Sequence, residues 1–455
     1  MQTRLWRALT TLIAILGLLL TNAAAGTGAP ADSADSTATT PDASPPGTFT
    51  GTVVRIVTDD VEGSQTHQDV RIVSGDASVA VPDALATDLE GGEQVRATIA
   101  GAATLTTEQA FDRADTGDLT LTDIQILASP APVSQLGAHR VLIAPIYIGA
   151  TPPSTPTTTQ FRRLIADTST YLSTTTNGQI SLVEHQVRPW LKVNATDCNS
   201  LYTQVFGQTL PAQVAGTLAK GEANHIVFYT PDIGCPFAGM ATVNVGAAGW
   251  PVVWLHADAT VSTHAHELGH NMGLGHSGAL ECTNSAGQVV VGLSATCTNR
   301  TYEDVYDMMS APMTDISTGI PGELAAYHQR RLGTMTSAAV PRVGAGTHTL
   351  RPLSSSTGVR GLEVPITSTR TLHLEYRTPH RADSWITSFA NEDPTRPPGP
   401  GAGVIVRLTD SAADRRPDRE LSTVDLQAAD EVYTYPASSD SYYRLTSDLS
   451  WVTSR

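Results

Sequence analysis

The chain is poor in several residue types, and each shortage narrows the classes of protein it can belong to. Aromatic residues make up 5% of its 455 residues, and lysine occurs only at Lys192 and Lys220. The net charge of −16 gives a surface that repels the phosphates of nucleic acids and anionic membranes. Beyond the N-terminal segment, no apolar run reaches the ~20 residues that a membrane-spanning helix needs. We therefore expect no nucleic-acid partner and no membrane partner for the mature protein.

The N-terminal residues 1–25 have the layout of a cleaved secretory signal. A short segment with two arginines precedes a mainly apolar run over residues 8–20, and Ala23–Ala25 supplies small residues for cleavage. The alternative, a membrane anchor, needs ~20 apolar residues, which this run does not supply. Residues 26–47 contain almost no large apolar side chain, which predicts a disordered linker. We expect the protein to be secreted and extracellular.

Cysteine is also scarce, and the four cysteines are Cys198, Cys235, Cys282 and Cys297. None of them forms a C-x-x-C pair, so a cysteine metal site is disfavoured. An even number of cysteines in an exported chain predicts two disulfide bonds. Three pairings are open, and Cys198–Cys235 with Cys282–Cys297 is the nearest-neighbour choice.

Hydrophobic patterning divides the remaining chain into three regions. Residues 48–136 contain alternating apolar and polar runs between Gly- and Asp-rich turns, which predicts a small N-terminal β-domain and a connector. This region is also a candidate propeptide. Residues 137–340 alternate between strand and helix periods, which predicts an α/β (α+β) catalytic domain with a mixed sheet. Residues 341–455 lose the helical period, which predicts a C-terminal domain resembling a β-sandwich.

The most informative stretch contains the pattern H-E-x-x-H-x-x-G-x-x-H, which begins at His266. His266 and His270 are four residues apart, so their imidazoles lie on one helix face and can bind one metal ion. Glu267 lies ~100° further around the helix, where it can reach a metal-bound water without ligating. These three residues predict two metal ligands and a general base.

The glycine of the pattern, Gly273, allows the chain to leave the helix in a conformation that costs other residues energy. The turn brings His276 back as a third ligand. A three-histidine site leaves the fourth position of zinc open for water, which is typical of catalytic zinc. The motif therefore predicts zinc-assisted hydrolysis, with Glu267 as the base that activates a zinc-bound water.

A second motif follows at residues 302–310, with the sequence Tyr-Glu-Asp-Val-Tyr-Asp-Met-Met-Ser. Together with the histidine motif, it resembles the metzincin zinc metallopeptidases and, among them, the gametolysin family. The resemblance implies that Met309 is the Met-turn residue beneath the metal, with Met308 as its competitor. It also implies an edge strand antiparallel to the bound substrate, with the substrate-binding candidates Gly239, Met240 and Ala241.

Two features of related enzymes are not expected in this chain. A tyrosine ligand two residues after the Met-turn residue is excluded because Ala311 holds that place. A cysteine-switch thiol from the N-terminal region is excluded because no cysteine precedes Cys198. If residues 48–136 are an inhibitory propeptide, they inhibit through another group or through steric cover; the alternative is that they do not inhibit.

The sequence thus predicts a secreted zinc endopeptidase, made as a zymogen and acting as a monomer on extracellular or cell-wall proteins and peptides. Zn²⁺ is the expected cofactor, while Asp304 and Asp307 are unsupported candidates for Ca²⁺. One alternative is an exported protein that binds a surface polymer and keeps a structural or vestigial zinc site. Glu267 argues against it, because a structural site needs no base. The other alternative is a zinc amidase acting on a non-protein amide.

Overall fold

The computed structural model of the chain is organised around one large mixed β-sheet. It describes residues 45–386 and 402–410, except for 60–65, 76, 87–88, 130–133, 208, 221–223, 244–248, 284, 288–295, 301, 303, 305, 311–319 and 345. It also describes residues 421–424, 442–445 and 451–454. The predicted signal peptide and most of the predicted linker, residues 1–44, lie outside the described residues, as does Ala311.

The N-terminal region supplies five strands and two helices to this fold. Their bounds are β1 Thr48–Asp59, β2 Thr66–Ser74, β3 Ala77–Ala80, α1 Asp83–Ala86, β4 Gln94–Ala100, α2 Thr107–Asp115 and β5 Thr120–Ala128. Strand β1 pairs antiparallel with β2 and β4, and Val53, Ile72 and Phe111 are among the residues of a separate core. Helix α2 was not predicted, although its capping box between Thr106 and Gln109 is a recognisable start signal.

The central region alternates strands and helices. Their bounds are β6 Gly137–Tyr147, α3 Thr158–Thr175, β7 Ile180–Val187, β8 Leu191–Lys192, α4 Cys198–Phe206, α5 Thr209–Ala215, β9 Asn224–Thr230, β10 Gly239–Thr242, β11 Val252–His256 and α6 Val261–Asn271. The main path of the sheet has the order β3-β2-β1-β10-β11-β9-β6-β7. Strands β11, β9, β6 and β7 are parallel neighbours, whereas β10 is antiparallel to β11 and to β1. The predicted mixed sheet is therefore confirmed.

A second sheet contains strands from both sides of residue 340. The bounds of the remaining elements are β12 Ser277–Thr283, β13 Thr296–Arg300, α7 Ala326–Arg331, β14 Gly361–Pro365, β15 Arg370–Arg377, a 3-10 helix Arg381–Trp385, β16 Gly403–Asp410, β17 Leu421–Val424, β18 Tyr442–Leu445 and β19 Trp451–Ser454. Six of these strands form a sheet in the order β13-β12-β17-β16-β15-β14. The predicted boundary at residue 340 thus lies between strands that belong to one sheet.

One disulfide bond of the nearest-neighbour pairing is present among the described residues. Cys198 and Cys235 form a disulfide with a Cα–Cα distance of 5.6 Å. Cys297 is also disulfide-bonded, and it lies opposite Cys282 in the β12–β13 ladder. Among the residues described, no helix has the length and hydropathy that crossing a membrane requires.

A network of buried charges joins the second sheet to the loop that follows β13. Arg407 on β16 lies 2.6 Å from Asp304 in this loop and 2.5 Å from Glu375 on β15. Arg377 lies 2.7 Å from Glu375 and 2.9 Å from Asp383. All five side chains are buried, so each charge depends on its partners for the stabilisation that water would otherwise give.

We expect Arg407→Leu to lower the free energy of unfolding by about 3–5 kcal/mol, because it leaves the buried carboxylate of Asp304 without its cation and removes one of the two cations beside Glu375. Denaturant titration followed by tryptophan fluorescence measures the change. Arg163→Leu is the matched control, since Arg163 is 83% exposed and pairs with Asp167 at 3.5 Å. A surface pair of this kind contributes about 0–1 kcal/mol. Equal losses in the two variants would contradict the role given to the network.

The carboxyl of Glu323 predicts a pH dependence of stability. Burial raises its pKa from 4.5 to about 7, with a further rise from Asp383. A raised pKa means that the folded state binds the proton more tightly, so stability falls as the pH rises from 4.5 through about 7. Glu323→Gln should remove this slope and stabilise the protein by up to about 3 kcal/mol near pH 8. Melting temperatures measured across this pH range test it, with the exposed Glu184→Gln as a control that should leave the slope intact.

Candidate metal centre

Helix α6 positions the first part of the histidine motif. The Thr260 hydroxyl accepts a hydrogen bond from the backbone N–H of Thr263 and caps the helix, which begins at Val261. Ala265 and Leu268 are fully buried in the core cluster that also contains residues of β9 and β11. His266 and His270 are four residues apart, so both imidazoles lie together on a different face of the helix from Ala265 and Leu268.

The predicted turn at Gly273 brings the chain back to the imidazoles of His266 and His270. Gly273 has a φ of +85°, in the left-handed region that favours glycine. Three residues later, His276 lies immediately before β12, and its ring centroid is 4.6 Å from that of His270. The backbone N–H of Ser277 donates to the carbonyl of Met309 at 2.7 Å, which holds the end of the turn.

The three imidazoles converge through the same ring nitrogen. The Nε2 atom of His270 lies 3.2 Å from that of His266 and 3.0 Å from that of His276. Nδ1 of His266 donates to the carbonyl of Met308 at 2.8 Å, and Nδ1 of His270 donates to the carbonyl of Leu274 at 2.9 Å. These bonds assign the proton to Nδ1, so the lone pairs of Nε2 point at one another.

Facing lone pairs repel unless a cation lies between them, so this arrangement fits a metal ion. Zinc–nitrogen bonds of about 2.0–2.1 Å place tetrahedral nitrogen ligands roughly 3.3–3.4 Å apart. The observed separations of 3.0 and 3.2 Å are close to that spacing. Imidazole nitrogen is also a preferred ligand of zinc. The residues present therefore fit zinc.

A fourth group reaches the cluster from the N-terminal region. The Oδ2 atom of Asp59 lies 2.9 Å from Nε2 of His266, and its Oδ1 atom lies 3.0 Å from Nε2 of His276. The hydroxyl of Tyr302 donates a hydrogen bond to Oδ1 of the same carboxylate. Burial raises the pKa of Asp59, but positive charge at His276 and His266 outweighs it and holds this pKa well below its usual range.

Glu267 lies beside the histidines without joining their cluster. Its side chain is buried, and no N–H or O–H group among the described residues donates to its carboxylate, which instead lies within hydrogen-bond reach of the carboxyl of Asp59. A Cβ on Gly239 would lie 2.0 Å from its Oε1 atom, so β10 passes directly against this carboxylate. Burial raises the pKa of Glu267 well above its usual range, and Asp59 raises it further.

The methionine motif lies against the backbone of α6. Met308 and Met309 are fully buried, and a Cβ on Gly269 would lie 2.4 Å from Sδ of Met309 and 3.2 Å from Cε of Met308. Asp307 fixes this segment. Its Oδ1 accepts from the N–H of Met309 at 3.1 Å, and its Oδ2 accepts from Ser277 Oγ at 3.1 Å and from His328 Nδ1 at 3.0 Å.

The two carboxylates considered for Ca²⁺ are thus both engaged by protein groups, since Asp304 pairs with Arg407. The predicted substrate strand is covered as well. Strand β10, which contains Gly239, Met240 and Ala241, pairs with β11 on one side and with β1 on the other. The side of β10 that would be the edge of the central sheet is occupied by the N-terminal region.

The structure brings together the predicted residues His266, His270, His276 and Glu267, with Met309 beneath them and Gly239 alongside. Sequence reasoning missed Asp59 and the hydroxyl of Tyr302. No local signal identifies Asp59, because a single aspartate at the end of a strand is ordinary and its partners lie about 200 residues away. Asp307 had a signal, since it lies beside the methionines, but its hydrogen bonds could not be assigned.

We expect Gly269→Ala to cost roughly 1–3 kcal/mol of stability, because the added methyl group overpacks against Met309 beneath the histidines. Thermal unfolding with and without added Zn²⁺ measures both the loss and any loss of metal stabilisation. Gly344→Ala is the matched control, since a Cβ there meets nothing within 4 Å. A Gly269→Ala protein as stable as the control would show that the close packing is unimportant.

The model of the family described as gametolysin peptidase M11 matches residues 166–392. No curated protein matches the chain. One similar solved structure, a chaperone–substrate complex, has 14% identity and a TM-score of 0.27, with 56% of this chain and 43% of that chain covered.

A zinc-dependent peptidase from Methanocorpusculum labreanum also has 14% identity, with a TM-score of 0.23. The match covers 43% of this chain and 100% of the other. This chain spans less than half the length of the first of these two proteins.

Proposed function

Because the chain belongs, over residues 166–392, to the gametolysin peptidase M11 family, we propose that it is a secreted zinc endopeptidase of the metzincin type. That it is a zinc peptidase follows from the family and from the buried histidine cluster. The single observation that carries the proposal is the convergence of three Nε2 atoms on the helix that also carries the buried carboxylate of Glu267.

The metal ligands in this proposal are His266, His270 and His276. Backbone carbonyls that accept from Nδ1 orient the rings of His266 and His270 before any metal binds, which favours a fixed ligand geometry. When bound, zinc supplies Lewis-acid chemistry that polarises a carbonyl and lowers the pKa of water. Met309 packs beneath the site as the Met-turn residue and does not ligate.

Glu267 is the proposed general base. It removes a proton from the water that attacks the scissile carbonyl and then delivers this proton to the leaving amine. Its position supports the role, because the buried carboxylate lies against Gly239 of β10 and within hydrogen-bond reach of Asp59, which contacts His266 and His276. A purely structural zinc site has no use for a buried carboxylate of this kind.

The substrate in this proposal is an extended peptide that pairs with β10. The backbone groups of Gly239, Met240 and Ala241 would bind it as an added strand, which recognises a peptide through its main chain. Gly239 leaves room for the carboxylate of Glu267 beside this strand, since any side chain there would collide with it. Binding along a strand needs chain on both sides of the scissile bond, which favours an endopeptidase acting on proteins.

Secretion and a monomeric state complete the proposal. The Cys198–Cys235 disulfide is typical of exported proteins and is compatible with an extracellular location. Extracellular and cell-wall proteins are the proposed substrates, since an exported peptidase meets them first.

We expect Glu267→Gln to retain bound zinc and to lose casein hydrolysis by roughly 10²–10⁴-fold, because the amide cannot accept the proton. Metal content by atomic emission and casein cleavage, with and without prior limited trypsin treatment, measure the two effects. Glu184→Gln, on the exposed part of β7, should keep full activity. A Glu267→Gln protein with near wild-type hydrolysis would falsify the assignment of the base.

Removal of the metal should abolish hydrolysis reversibly, because the three imidazoles alone cannot polarise a carbonyl. Dialysis against 1,10-phenanthroline, followed by addition of Zn²⁺, should remove and then restore casein cleavage. Activity that survives verified metal loss would contradict a zinc peptidase mechanism. Activity against peptidoglycan fragments but not casein would favour an amidase instead.

A further inference from the structure

Strand β1 occupies the side of β10 where the proposed function requires the substrate. The register is antiparallel, with Asp59 opposite Gly239 and Ile56 opposite Thr242. The pairing continues beyond both ends of β10. The N–H of Ala238 donates to the carbonyl of Asp59 at 2.6 Å, and the N–H of Val243 donates to the carbonyl of Arg55 at 2.9 Å. No backbone position along β10 is left for another strand.

The side chains of β1 tie it to two cores at once. Val54 and Ile56 pack in the cluster that contains Trp254 and Phe237 of the central region. Val53 packs in the separate core of the N-terminal region. A further link is made by Tyr202 on α4, whose hydroxyl donates to Asp69 of β2 at 2.5 Å. The N-terminal region is therefore docked on the central region through the β1–β10 ladder, the apolar packing of Val54 and Ile56, and the Tyr202–Asp69 hydrogen bond.

The strand ends with a carboxylate at the three histidines. The ligand atoms of Asp59, His266, His270 and His276 all lie within 4.8 Å of one another, and all four residues are buried. Oδ2 of Asp59 lies 3.8 Å from Nε2 of His270, in addition to the shorter distances to the other two histidines. Tyr302 holds the carboxylate in place through its hydrogen bond.

We propose that Asp59 is a fourth ligand of the metal and that β1 fills the substrate site, so residues 48–128 keep the peptidase inactive. This inference rests on the proposed function. A tetrahedral site with four protein ligands is closed, and it leaves no position for the attacking water. The same contact places a side chain, rather than a peptide bond, at the metal.

This arrangement also explains how the inhibitor resists dissociation. Strand β1 is paired with β2 and β4 as well as with β10, so it is part of a folded sheet. The chain segment that connects Ala128 of β5 to Gly137 of β6 keeps β1 at a high effective concentration. Cutting this segment turns an intramolecular inhibitor into a separate molecule, so inhibition becomes dependent on dilution.

The ligand assignment is tested by metal coordination in the full chain with Glu267→Ala, which prevents self-cleavage. The Co²⁺-loaded protein is compared with its Asp59→Ala and Asp59→Asn derivatives by visible absorption, which reports coordination number and ligand type. Competition with a chelating dye gives the Zn²⁺ affinity. Asp123→Ala is the matched control, since Asp123 is an exposed aspartate of the same region.

We expect both Asp59 variants to change the cobalt spectrum and to weaken Zn²⁺ binding by about 10-fold or more, whereas Asp123→Ala changes neither. The Asp59→Asn variant preserves the shape of the side chain, so it keeps the test valid if Asp59→Ala folds poorly. Spectra and affinities that match the parent in both Asp59 variants overturn the proposal.

Latency is tested in the full chain with active Glu267 and a recognition site for a specific protease between Ala128 and Gly137. Uncut protein should cleave casein weakly, and cut protein should gain about 10²-fold or more in specific activity on dilution. Cut protein that stays as inactive as uncut protein after the N-terminal fragment is removed, although zinc-loaded, would instead refute the proposed peptidase function. Full activity of uncut protein would refute inhibition alone.

Discussion

The candidate metal centre depends on three imidazole rings whose Nε2 atoms lie against one another. Such a cluster is unfavourable in a buried site unless a cation occupies its centre. The carbonyls of Met308 and Leu274 fix the ring protons on Nδ1, so the unfavourable arrangement is enforced by the backbone. Folding therefore imposes an unfavourable arrangement of the three nitrogens, and a bound cation would stabilise it.

Two glycines show how closely the chain is packed around that centre. Gly269 admits the sulfur of Met309 against α6, and Gly239 admits the carboxylate of Glu267 against β10. In both places a methyl group has no room. Asp307 then joins the methionine segment to Ser277 and His328, while Asp304 joins it to Arg407 of the second sheet. The second sheet thus supports the loop beneath the site.

The N-terminal region changes what the centre can do. A zinc site with three histidine ligands keeps a position open for water, whereas a fourth protein ligand, Asp59, would close it. The open and closed sites differ by a single carboxylate at the end of β1. In the proposed latent form, a strand in the substrate position would protect an exported peptidase from its own activity without a thiol.

Local sequence determined much of this protein. Neighbouring residues alone set the period of α6, the turn at Gly273 and the spacing of His266, His270 and His276. The metal motif and the family could therefore be predicted. Alternating patterns likewise located most strands. Asp59 could not be predicted, because its role depends on how one sheet continues into another through the β1–β10 pairing. Only the tertiary structure decided this, since contacts between residues about 200 positions apart leave no periodic or spacing signal in one sequence.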